Sequence, residues 1–80
     1  MKLKSIYDNG SKTLDRYTIV TTNRYNKSGH WYYDCISSSE SGLGVFMWCE
    51  CMIGRHLGKK VEMKDLSIEL QTMINNALKD

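Results

Sequence analysis

Near the C-terminus the apolar residues fall at Leu66, Leu70, Met73, Ile74, Ala77 and Leu78. That spacing of i, i+4, i+7, i+8, i+11 and i+12 puts them on one stripe of a helix. A stripe of this kind has to be covered, so the rest of the chain must supply a matching apolar surface. Asp65 or Ser67 can cap the first turn, and no helix breaker interrupts the run.

Everything before the stripe has strand character. "LKSIY" (3–7) is short and edge-like, "RYTIVTT" (Arg16 to Thr22) is β-branched and aromatic, and "HWYYDCI" (His30 to Ile36) is rich in aromatics. Asn9-Gly10 lies between the first two and is a strong signal for a tight hairpin turn, because both residues accept positive φ. "NRYNKSGH" (Asn23 to His30) supplies the next turn, with Gly29 open to a left-handed position. After the loop "SSSESGLG" (Ser37 to Gly44), "VFMWCEC" (Val45 to Cys51) is apolar on both faces apart from Glu50, as expected of a strand covered on both sides. Val61 and Met63 can pair on an edge. The expected fold is α+β: a small antiparallel sheet of about four to five strands with one C-terminal helix packed on it. Residues 1–80 form a single domain, since so short a chain buries only about 60% of its unfolded surface and cannot maintain two cores.

No apolar run approaches the roughly 18 residues that span a bilayer, and the opening lacks the apolar stretch of a secretory signal. The expectation is a soluble cytosolic protein with no membrane association. Net charge is only +2, but it is unevenly placed. Residues 1–30 carry six Lys/Arg against Asp8 and Asp15, whereas residues 31–54 hold Asp34, Glu40 and Glu50 with no Lys or Arg. Arg55, Lys59, Lys60 and Lys64 follow. These blocks are too weak for the broad basic face of a DNA binder and sufficient for a local anion site, so no sequence-specific nucleic acid is expected.

Cys35, Cys49 and Cys51 are the cysteines. In a regular strand Cys49 and Cys51 share one face with Cα atoms about 6.5–7 Å apart, at or beyond the limit for an unstrained disulfide. With no Cys-x-x-Cys motif, thiol–disulfide chemistry is not expected. Cys35, Cys49, Cys51 and His56 (with His30) are zinc-ligand types, but structural zinc sites draw cysteines from tight knuckles rather than from one extended strand. Packing is the preferred reading, and no metal or cofactor is expected. No Walker loop, dinucleotide fingerprint or nucleophile elbow occurs either.

The eight aromatic residues exceed what so small a sheet can bury. Trp31 and Tyr33 point one way along their strand and Tyr32 the other, so at least one set meets solvent or a partner. Aromatic faces beside Arg16, Arg24, Arg55 or Lys59 suit stacking of a base and pairing with a phosphate. Core packing with a homo-oligomer interface would use the same residues.

At "KSIYDNGSKTLDRYTIV" and "RHLGKKVEMKDLSIELQ" the chain resembles a family of short uncharacterised bacteriophage proteins. The likeness covers both ends, about half of the chain, through Asp8, Asn9, Gly10, Asp15, Arg16, Tyr17, Thr18, His56, Leu57, Gly58 and Lys59. Ser11 stands where a second glycine is common, and a proline usual at the helix start is missing. The resemblance implies a phage accessory protein of the counter-defence kind, acting by stoichiometric binding in the host cytoplasm. The leading expectation is a non-enzymatic, homo-oligomeric protein that sequesters a small anionic nucleotide-type immune signal. Asp15, Arg16, Tyr17, Trp48, Arg55, His56, Gly58 and Lys59 would form its site, with Arg and Lys on phosphate, Gly58 admitting phosphate to backbone N–H groups, Tyr17 or Trp48 stacking a base, and Asp15 accepting a ribose hydroxyl. The alternative is a protein-directed inhibitor of a host defence complex, such as an anti-CRISPR, working through the acidic aromatic residues 31–54. A small nucleotide-degrading enzyme with His56 as acid–base ranks third.

Overall fold

The two turns of the N-terminal half differ in kind. Ser28 and Gly29 both have positive φ, 54° and 82°, as a two-residue type I′ turn requires. They join β2 (Tyr17–Lys27) to β3 (His30–Ser38), so Asn23 to Lys27, expected to be part of the turn, are strand. Asn9-Gly10 does not close a tight hairpin. It opens a longer loop between β1 (Leu3–Asp8) and β2, held from within by Asn9: its Nδ2 donates to Thr13 Oγ1 (2.8 Å) and the Asp15 carbonyl (3.1 Å), and its Oδ1 accepts from the Lys12 N–H (3.1 Å).

A computed structural model of the chain describes residues 1–42 and 44–79; Leu43 of the Ser/Gly loop and Asp80 lie outside the described residues. After the loop come β4 (Phe46–Cys51), a 3-10 turn (Arg55–Leu57), β5 (Lys59–Val61), a second 3-10 turn (Met63–Asp65) and helix α1 (Ile68–Leu78). The sheet is antiparallel in the order β4-β3-β2-β1-β5. Val61 pairs with Ile6 on the far edge, while Met63 already belongs to the second 3-10 turn.

Helix α1 covers one face. Its stripe residues Leu70 and Ile74, with Leu66 ahead of it, are buried against Ile6, Tyr17, Ile19 and Ile36. Each such side chain contributes about 1.5–3 kcal/mol when removed from water. Ser67 is the cap: its Oγ accepts from the Leu70 N–H at 3.2 Å, satisfying a backbone donor that has no partner within the helix.

The other face has a smaller cluster of Val20, Cys35 and Leu57, flanked by Tyr7, Tyr33, Cys49 and Cys51. Because β4 and β5 occupy opposite edges, the segment between them must cross this face, and Leu57 is the side chain it sets into the sheet. β4 is therefore an edge strand, not one covered on both sides as its composition suggests. Met47 is 59% and Trp48 48% exposed.

Candidate functional site

The crossing segment is too short to cover the face opposite α1. Beyond it β2 and β3 continue as a two-stranded extension after an irregularity between Val20 and Arg24. Thr21 sits at that irregularity, donating to the Asp34 carbonyl at 2.8 Å and accepting from the Asn23 N–H at 3.2 Å. On the uncovered face of the extension Arg24 lies opposite Tyr33, and its guanidinium stacks over the half-exposed Trp31, 4.4 Å from the ring centroid. Lys4 Nζ lies 5.6 Å from the centre of the Tyr33 ring. Two cation–aromatic pairs thus stand side by side, placed by the strand alternation that put Trp31 and Tyr33 on one face.

The reverse face of the extension is acidic as well as aromatic. Tyr25 stacks with Tyr32 at 6.1 Å, and the Tyr25 hydroxyl donates to Glu50, which Lys27 also approaches at 3.6 Å. The bond to Glu50 pushes Tyr25 up to about 12 and holds the Glu50 carboxyl below its ordinary value. Asp34 lies directly across from Glu50 and accepts from Asn23 Nδ2 at 2.5 Å. These bonds offset the repulsion between like charges placed opposite each other.

Toward the β1–β2 loop, around the crossing segment, is a cavity of about 490 Å³ whose lining includes Asp15, Cys35, Cys49, Cys51, Met52 and His56. The thiols converge because Cys35 pairs directly with Cys49 across the β3–β4 ladder and Cys51 pairs with Tyr33. Cys35 Sγ lies 2.8 Å from Cys49 Sγ, and Ser37 Oγ lies 3.1 Å from the same Cys49 sulfur. Interaction with the Cys51 thiol, together with burial, pushes Cys35 up, and the same interaction draws Cys51 down. Two thiolates on one tetrahedral zinc stand about 3.8 Å apart, given Zn–S bonds of about 2.3 Å. Cys35 and Cys49 are closer than that, and among the described residues no group of three or more His, Cys, Asp or Glu is arranged to hold a metal.

The fold brings together only part of the site expected from sequence. Asp15 and His56 line the same cavity, so the β1–β2 loop and the 54–59 segment do meet. Lys59 pairs with Asp8 on β1, and Arg55 is exposed in the 3-10 turn. Arg16 is already occupied: Nε and Nη2 grip the Asp8 carboxylate at 2.8 and 3.0 Å, and Nη1 reaches Glu40 at 3.1 Å. This grip holds the Asp8 carboxyl below its ordinary value and raises the guanidinium further. Tyr17 is buried under α1 with the Arg16 guanidinium over its ring at 5.1 Å, and burial raises its hydroxyl. Trp48 pairs with Ile36, a residue of the helix-side core, and so belongs to the opposite face from His56. Gly58 stands in a close approach to β1, with its N–H donating to the Arg55 carbonyl at 3.0 Å. A Cβ there would lie 2.2 Å from the Asp8 carbonyl oxygen, so the chain's own backbone fills the space. Lys4, Arg24, Trp31 and Tyr33 are the better candidates. Of these, sequence reasoning reached Arg24 and the Trp31/Tyr33 alternation, but the approach of Lys4 depends on strand pairing across the sheet.

These features define a small α+β domain with one helix-covered face and one partly open basic–aromatic face. No protein-family model, curated protein or solved structure matches the chain. Among the described residues no helix is long and apolar enough to cross a membrane.

Proposed function

We propose that this protein is a non-enzymatic phage accessory factor of the counter-defence kind, which binds and sequesters a small nucleotide-type immune signal in the host cytoplasm. The observation that carries the reading is the pair of cation–aromatic contacts on the uncovered face, Arg24 on Trp31 and Lys4 near Tyr33. A base can take the place of the guanidinium on the Trp31 face while Arg24 and Lys4 turn to its phosphates. Arg16, Tyr17, Trp48 and Gly58 have no part in this binding. Action as a homo-oligomer belongs to the same proposal, through pairing of the open β4 edge of one copy with that of another.

Thermal shift with a panel of cyclic and ADP-ribose-type nucleotides tests the proposal. Ligand at about 100 times its dissociation constant adds about 2.7 kcal/mol, a rise of about 10–20 °C for a domain of this size. Arg24→Ala and Trp31→Ala should abolish the rise and leave the ligand-free melting temperature within a few degrees, since both side chains are exposed. Recovery of the bound nucleotide intact separates sequestration from degradation. No shift with any nucleotide would sink the proposal. Co-purification of a host protein in that case would favour the protein-directed reading, which draws on the exposed β4 edge with Trp48 and on the facing Asp34 and Glu50.

A further inference from the structure

We propose that Cys35 and Cys49 form a thiol–disulfide exchange site that reacts with a low-molecular-weight disulfide of the glutathione type. The sequence argued against thiol–disulfide chemistry from the spacing of Cys49 and Cys51 on one strand and from the lack of a Cys-x-x-Cys motif, and neither ground bears on a partner from another strand. The sheet supplies a different partner. Cys35 is directly opposite Cys49 in the β3–β4 ladder. Directly opposed residues of an antiparallel pair have Cα atoms about 4.5–5.5 Å apart, within the range a disulfide bridges. The two sulfurs already lie 2.8 Å apart, with no intervening group.

The three thiols are not equivalent. Cys49 and Cys51 are both half-buried and border the cavity that opens beside His56 and Met52, and of the two Cys49 is the one directly opposite Cys35. Cys35 is fully buried with its sulfur 2.8 Å from that of Cys49, placed to displace a group bound there. In the first step the Cys49 thiolate attacks one sulfur of the small disulfide. The S–S bond breaks, one small thiolate leaves, and Cys49 carries the other half as a mixed disulfide. In the second step the sulfur of Cys35 displaces the second small thiolate from Cys49, and that thiolate takes up the Cys35 proton as it leaves. Two protein thiols are oxidised to one disulfide, and one small disulfide is reduced to two thiols. A bond bridging adjacent strands at directly opposed positions is open to the reverse exchange, so the modification is reversible in a reducing cytosol. Its effect would be to tie the exposed edge strand β4 to the body of the sheet.

The test uses the full, reduced chain exposed to glutathione disulfide, quenched in acid, alkylated with a maleimide in denaturant and analysed by intact mass and peptide mapping. The expected product is lighter by two hydrogens before alkylation, retains one alkylatable thiol on Cys51, and yields peptides containing Cys35 and Cys49 joined by a bond that dithiothreitol releases. Cys49→Ser should give no internal disulfide. Cys51→Ser should still give it, and Cys35→Ser should stop at a glutathione adduct on Cys49. The proposal is overturned if, after exposure of the folded wild-type protein, all three thiols still alkylate in denaturant, if the only disulfide joins two chains, or if the internal bond includes Cys51.

Discussion

Gly58 is the point at which the segment crossing the sheet joins the β1 edge, and replacing it with alanine should cost a large part of the protein's stability. Its φ of 92° and ψ of −149° lie close to a region that only glycine occupies without strain of about 1–3 kcal/mol. A Cβ at this position would also meet the Asp8 carbonyl oxygen at 2.2 Å, Asn9 Cα at 2.6 Å and the Asp8 carbonyl carbon at 2.7 Å. All three are backbone atoms, so no side-chain rotation relieves the clash. The segment must draw away from β1, weakening the pairing of Asp8 with Lys59 and of Tyr7 with Lys60. Each hydrogen bond lost costs about 0.5–1.5 kcal/mol, and Leu57 is partly pulled from the cluster with Val20 and Cys35. The sum is about 3–5 kcal/mol, set against a total of about 4–12 kcal/mol for a chain of this length. Urea unfolding followed by tryptophan fluorescence measures it, with two other glycines as references. Gly29 has positive φ but nothing within 4 Å, so Gly29→Ala should cost only the left-handed strain of about 1–2 kcal/mol. At Gly44 the nearest atom to a Cβ is 3.7 Å away, and Gly44→Ala should be close to neutral. A Gly58→Ala protein within about 1 kcal/mol of wild type would refute the close approach and the account of the crossing built on it.

The Asp8–Arg16 pair makes stability depend on pH in a stated direction. Because Arg16 holds the folded-state pKa of Asp8 below 3.8, the contribution is fully present above that value and disappears as pH falls through the lower, folded one. Asp8→Asn should therefore lower the urea midpoint at neutral pH and match wild type in strong acid; an equal deficit at every pH would count against the pair. On the reverse face of the extension, ultraviolet titration should show one tyrosine ionising at about 12, and Glu50→Gln should return it toward 10.0. If the substitution leaves that titration unchanged, Tyr25 is not bonded to Glu50.

Much of the architecture was legible without coordinates because it rests on local periodicity. The spacing from Leu66 to Leu78 specifies a helix and its buried stripe, and Ser67 supplies the cap. The period of two puts Cys49 with Cys51, and Trp31 with Tyr33, whatever the strands pair with. Strand order has no such local signature. "VFMWCEC" is apolar enough for a covered strand, yet it lies at the edge, because position in a sheet depends on which distant segments pair and on where the single helix can sit. The tertiary structure alone decided that Arg16 is occupied by Asp8 and Glu40, that Gly58 faces backbone rather than ligand, and that Trp48 and His56 lie on opposite faces. It also set Cys35 across from Cys49 and Lys4 beside Tyr33. Those are contacts between residues far apart in the chain, and only the register of the folded sheet determines which of them meet.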